Sequence, residues 1–240
     1  MNDPLLNELV GKLKAAAGAN LKSVILYGSA ATEEFHAKHS DLNLLCVVEQ
    51  ADAARLEALH GAVEWWIRRG QRAPLVFTLD ELSRSSDVFA IELLDMKSRH
   101  RVLHGENVLT DLQVPLHFHS IQVERELRTN WLRLRQAILA APRKPKAYLE
   151  IMTASFSSFA ALFRHALIAL GEAAPETRRE AIDRIAQFAA ADAAGFHAIL
   201  GVREGKLKER EVNVEGTMNQ YFAFVEAVTD EFDRRIEAKR

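Results

Sequence analysis

Seven apolar residues, Leu149, Met152, Phe156, Phe159, Phe163, Leu167 and Leu170, follow one another at steps of 3, 4, 3, 4, 4 and 3. A stripe with that period fits an α-helix that buries one face and fits no strand. Val123, Leu127, Trp131, Leu134 and Ile138 repeat the pattern upstream, and Met218, Phe222, Val225, Phe232 and Ile236 repeat it downstream. Ile182 and Ile185 open a shorter helix, and Ala189 to Gly195 reads as a small-residue turn. Helical segments with short connections make an antiparallel bundle. The Phe156, Phe159, Phe163 stripe reads as its core.

The first half reads differently. Leu5, Leu6, Leu9, Val10 and Leu13 mark an amphipathic opening helix that closes near Gly18. Two short β-rich runs follow, Ser23 to Tyr27 and Leu42 to Val48. The second is nearly continuous in apolar residues, as a strand buried on both faces should be. A helix is expected from about Ala53 to Arg69, a third strand over Pro74 to Thr78, a short helix over Ile91 to Met96, and an edge strand over Arg101 to His104. The fold class expected is therefore α/β in the α+β sense, a small mixed sheet with helices followed by a helical bundle. The switch in period places a first domain at 1–110 and a bundle domain at 111–240.

Composition narrows the function classes. The 240 residues are 48% hydrophobic and 27% charged, so the chain can bury a core. Its formal net charge of -2 lacks the basic excess of a duplex-binding protein, so no duplex nucleic acid partner is expected. One cysteine, Cys46, removes disulfide scaffolds and multi-thiolate zinc sites. The run Ile151 to Phe163, free of charge, is shorter than the about 18 residues of a membrane span, and the N-terminus carries acids where a signal peptide carries Lys or Arg. These features point to a reduced, cytoplasmic protein without a membrane partner.

The chemistry concentrates in Leu26-Tyr27-Gly28-Ser29, eleven further residues, then Asp41-Leu42-Asn43-Leu44. A strand ends at Tyr27, Gly28 lets the backbone turn sharply, and Ser29 starts a short helix whose free N–H groups suit a phosphate. Asp41 and Asn43, two apart, share one face of the next strand. An acid beside a phosphate cradle is the material of Mg²⁺-assisted phosphoryl chemistry. Lys38, in the cationic loop Phe35 to His39, reads as a phosphate contact or as part of an exposed loop. His117 and His119 read as a surface pair. The chain has neither the Gly-x-x-x-x-Gly-Lys-Ser/Thr nor the Gly-x-Gly-x-x-Gly pattern.

Gly-Ser, a gap of about ten residues and then a carboxylate pair in an apolar strand resembles the signature of the polymerase-β-like nucleotidyltransferases. The likeness is nearest to their small bacterial antibiotic-adenylyltransferase-like branch, in which a helical domain follows the catalytic one. The motif covers Tyr27 to Val48. The resemblance implies that Gly28 and Ser29 hold a triphosphate, an NTP such as ATP, and that positions 41 and 43 hold Mg²⁺. It also implies transfer of a nucleoside monophosphate to a hydroxyl of a small-molecule acceptor.

Three departures accompany the match. Asn43 stands where the second acid belongs, Pro74-Leu75-Val76-Phe77 carries no third acid, and Ala30-Ala31-Thr32 replaces the usual Arg-Gly. Glu92 and Asp95 are the candidates for the missing base, with a solvated helix face as their other reading. With two acids gone, the alternative to an enzyme is a catalytically degenerate nucleotide-binding or interaction protein of the same fold. The long closing helices bury their stripes either in a homodimer or within one bundle.

Overall fold

A computed structural model of the chain describes residues 3–31 and 42–238. The chain divides into two compact units, Met1–Pro115 and Leu116–Arg240.

In the first unit the elements run α1 (Asp3–Ala17), β1 (Leu21–Tyr27), β2 (Asn43–Val48), α2 (Ala53–Ala58), α3 (His60–Ile67), β3 (Leu75–Thr78), α4 (Leu79–Arg84), α5 (Ala90–Ser98) and β4 (His100–Gly105). The sheet order is β3-β2-β1-β4. β1 runs antiparallel to both β2 and β4, and β3 lies parallel to β2. Two cores cover the two faces. Leu44, Cys46 and Val48 of β2 join Leu6, Leu9 and Leu13 of α1 and Trp66 of α3 on one. Leu45 and Val47 join Leu82 of α4 and Leu93 and Met96 of α5 on the other. β2 is thus buried on both sides, which its unbroken apolar run dictates. Each such side chain contributes about 1.5–3 kcal/mol of burial.

Local chemistry closes the elements. Asp52 caps α2 by accepting from the Arg55 N–H at 3.0 Å. Thr78 and Glu81 form a reciprocal capping box that starts α4 directly from β3. The single helix expected from Ala53 to Arg69 is two. The Leu59 N–H reaches the Leu56 carbonyl at 3.1 Å, a tightened turn, and Gly61 follows as a poor helix former. Ser23, fully buried in β1, donates to the Glu106 carbonyl at 2.7 Å and fixes the chain leaving β4.

The second unit holds five α-helices among its described residues: α6 (His119–Ala140), α7 (Pro145–Ala169), α8 (Arg178–Ala189), α9 (Ala194–Arg203) and α10 (Val214–Glu237). Short connections between packed neighbours give an antiparallel bundle. Phe156, Phe159 and Phe163 of α7, Phe196 of α9 and Tyr221 and Phe224 of α10 are buried in its centre. Phe196 stacks on Tyr221 with centroids 4.0 Å apart. α7 has the length and apolarity of a membrane span, but 56% of its most apolar window is buried in the unit, as suits a core helix.

Two sequence expectations are corrected here. The small-residue stretch Ala189 to Gly195 is not one turn: the chain reverses at Ala190, with φ 48°, and α9 begins at Ala194. Gly195 belongs to the helix because a Cβ there would stand 2.6 Å from the Tyr221 nitrogen of α10. His119 is not on the surface. It is 1% exposed and its Nε2 lies 3.0 Å from Nδ1 of the fully buried His165, a bond between α6 and α7.

Candidate functional site

β1 ends at Tyr27, whose register partner is Asn43, the first residue of β2. Gly28 then takes φ +78°, which a side chain rarely tolerates, and opens a single 3-10 turn, Gly28–Ala31. This is a tighter element than the short helix expected to begin at Ser29, which stands second in it. The Gly28 N–H donates to the Arg99 carbonyl at 2.9 Å, so the turn is fastened to the start of β4. The space over Gly28 is bounded by Asn43, whose Nδ2 would lie 3.7 Å from a Cβ placed there. The structure therefore brings Gly28 and Asn43 together. Asp41, Lys38 and the rest of residues 32–41 lie outside the described residues, as does the Ser29 side chain.

Glu92, exposed on the first turn of α5, acts electrostatically on Tyr27 at the end of β1. Burial pushes the Tyr27 phenol above its ordinary pKa, and the Glu92 carboxylate pushes it further in the same direction. Arg72 works against both. A carboxylate and a guanidinium thus lie within electrostatic reach of the Tyr27 ring. Arg72 sits in the loop before β3, and the fully buried Trp66 indole donates to its carbonyl at 2.8 Å. Leu75 pairs with Leu45 in parallel, so this loop leads into the strand beside β2.

Sequence reasoning missed Arg72. Its only signal is the basic run Arg68-Arg69-Gly70-Gln71-Arg72 ahead of a strand, which reads equally well as a solvated loop. Asp95, the other candidate base, is half-buried in the middle of α5.

The described donors available to a metal are few. Among the described residues no three His, Cys, Asp or Glu side chains cluster closely enough to hold an ion. Asn43 offers one neutral oxygen, and β3 carries no acid. Such a set does not hold Mg²⁺ alone, since that ion gives up its water reluctantly; phosphate oxygens of a nucleotide would have to complete the shell.

No protein-family model matches the chain, and no curated protein matches its sequence. Among solved structures, a spectinomycin adenyltransferase from Enterococcus faecialis, solved with ATP and spectinomycin, aligns with a TM-score of 0.57 at 15% identity. The alignment covers 94% of this chain and 100% of that one. The likeness is one of fold. The mixed four-stranded sheet followed by helices is an α+β fold that the two share.

Proposed function

We propose that the chain transfers a nucleoside monophosphate from an NTP, ATP being the candidate, to a hydroxyl of a small-molecule acceptor. The observation that carries this reading is the convergence of Gly28, Asn43, Glu92 and Arg72 at one end of a nucleotidyltransferase-like sheet. The neighbour's ATP and its small-molecule ligand agree with it.

In this scheme the backbone of Gly28 and the hydroxyl of Ser29 hold the triphosphate, with Lys38 as a further phosphate contact. Asp41 and the Asn43 oxygen would hold Mg²⁺, which supplies charge to the phosphate oxygens when bound. Glu92 takes the proton of the acceptor hydroxyl as its oxygen forms a bond to the α-phosphorus. The bond from that phosphorus to the bridging oxygen breaks, and pyrophosphate leaves with the electron pair. Such chemistry on a cellular NTP is consistent with a cytoplasmic protein.

A second reading is favoured by one observation, the neutral Asn43 at the strand position opposite Tyr27. Transition-state stabilisation here is largely electrostatic, and loss of one such interaction costs about 10²-fold or more. A site lacking two acids would bind nucleotide without turning it over.

One experiment separates the readings. ATP is titrated with and without Mg²⁺ into the parent, Asp41→Asn and Asn43→Asp, followed by label transfer from ATP to a panel of hydroxyl acceptors. Asp41→Asn is expected to lose metal-dependent ATP binding, and Asn43→Asp to tighten Mg²⁺ binding and raise transfer. Mg·ATP binding by Asp41→Asn equal to the parent's removes Asp41 as a ligand and the enzyme reading with it. Nucleotide binding without transfer in the parent leaves the degenerate reading.

A further inference from the structure

α2 and α3 meet at Leu59, and β3 is the outermost strand of the sheet beside them. A cavity of about 630 Å³ opens where the two helices and this strand come together. Leu56, Leu59 and Val63 line it from the helices, and Pro74 and Val76 line it from the strand side. Glu57, His60 and Gly61, at the junction of α2 and α3, complete the wall. The volume falls within the roughly 300–1,000 Å³ of small-molecule sites, and apolar walls with a few polar groups are what such sites carry.

The cavity is distinct from the end of the sheet that holds Gly28 and Asn43. Val76 pairs with Cys46 and packs with Leu44, Cys46 and Val48 on the α1 side. Asn43 alternates with Leu45 and Val47, whose cluster covers the other face.

The polar groups select the ligand. Glu57 is the one carboxylate of the lining, and no Lys or Arg joins it there. The arginines on the same two helices are taken elsewhere: Arg55 pairs with Asp52, and Arg68 reaches Glu64 at 2.7 Å. Among the described residues no ion pair reaches Glu57. A carboxylate at the rim of an apolar hollow attracts a cation more strongly than one in open water, because the walls displace solvent from the pair. Gly61 leaves room for the body of such a ligand, since a Cβ built there meets no atom within 4 Å.

We propose that this cavity binds a small organic amine, with its apolar body against Leu56, Leu59, Val63 and Val76 and its ammonium on the Glu57 carboxylate. His60 adds a ring nitrogen for a hydrogen bond. The site stands apart from the nucleotide reading and does not depend on it.

The test is an amide NMR titration of the full chain with hexylamine, hexanol and hexanoate, which share one apolar chain and differ in charge. Hexylamine should shift the amides of His60, Gly61 and Val76 and bind about tenfold more tightly than hexanoate, the scale of one charge-assisted contact. Hexanol should fall between them. Glu57→Gln should erase the preference for the amine over the alcohol. Gly61→Leu, which places a side chain in the open space, should lose binding of all three while the chain still melts cooperatively. Glu57→Gln, at an exposed position, keeps the test decisive should Gly61→Leu fail to fold. Hexanoate binding as tightly as hexylamine overturns the proposal, as does an undiminished amine preference in Glu57→Gln or the absence of shifts at these amides. Shifts of the same amides with protein concentration alone would show that a second copy fills the groove, and would overturn it too.

Discussion

Cys46 lies at the middle of β2, 1% exposed, with burial pushing its thiol from the ordinary 9.0 up to about 12. The folded chain therefore prefers the protonated thiol more strongly than the unfolded chain does. The sign follows: this contribution is complete below pH 9, and above it stability falls by about 1.4 kcal/mol per pH unit until the folded value is reached. Urea unfolding between pH 8.5 and 10.5 should show a steeper loss in the parent than in Cys46→Ala. The thiol should react with a disulfide reagent only as fast as the chain unfolds; rapid reaction under native conditions would contradict its burial. Gly105 gives a second expectation at this scale. Its φ is +76° and a Cβ would stand 1.8 Å from the Lys22 carbonyl oxygen, so Gly105→Ala should cost about 3 kcal/mol in denaturant unfolding. Gly28 and Asn43 were visible in the chain because their spacing falls at strand ends. Arg72 was not, because its place near Tyr27 and its carbonyl's bond to Trp66 appear only once the chain is folded.

At the scale of elements, α6 and α7 are joined by the His119–His165 bond. One ring nitrogen donates and the other accepts, so substituting a single ring strips a buried polar atom of its partner. His165→Phe should cost about 1–3 kcal/mol, while adding His119→Leu should restore part of that loss, since two apolar groups leave nothing to desolvate. A thermodynamic double-mutant cycle measures the coupling; additive losses would show that the bond contributes nothing. Trp66 holds the approach to β3 in a similar way. Trp66→Phe removes the donor to the Arg72 carbonyl, and on the proposed nucleotide reading looser ATP binding beyond the stability loss is expected in calorimetry. Elements with strong periodicity were legible: the stripe of α7 and the unbroken apolar run of β2 each admit one kind of burial. α9 was not, since Ala, Asp and Gly say turn locally, whereas contact with α10 requires a small residue at Gly195. His119 misled for a related reason, because a histidine at a helix start looks solvated until its partner on another helix is known.

At the scale of the whole molecule, each unit has its own apolar interior, the two sheet-face clusters in the first and the aromatic cluster in the second. A chain of residues 116–240 should therefore fold alone, with helical circular dichroism and one cooperative melt. A featureless melt would show that the bundle needs the first unit. The general order of sheet then helices was readable because the two halves differ in period. The placement of Glu92 and Arg72 near Tyr27 was not, because it arises only once α5 and the loop before β3 meet the same sheet end.

The position of Asn43 has an evolutionary consequence. Leu44 to Val48 are locked on both sides of the sheet, so nearly any change there damages the interior. Asn43 is only half-buried and begins the strand, where a change of charge disturbs no packing. Asparagine and aspartate are separated by a single base in their codons and are nearly the same shape. A lineage carrying this fold could thus pass between a charged and a neutral side chain at this strand end in one mutational step, in either direction, with its architecture untouched. Selection on such a chain would act on chemistry alone, and populations could hold both alleles side by side.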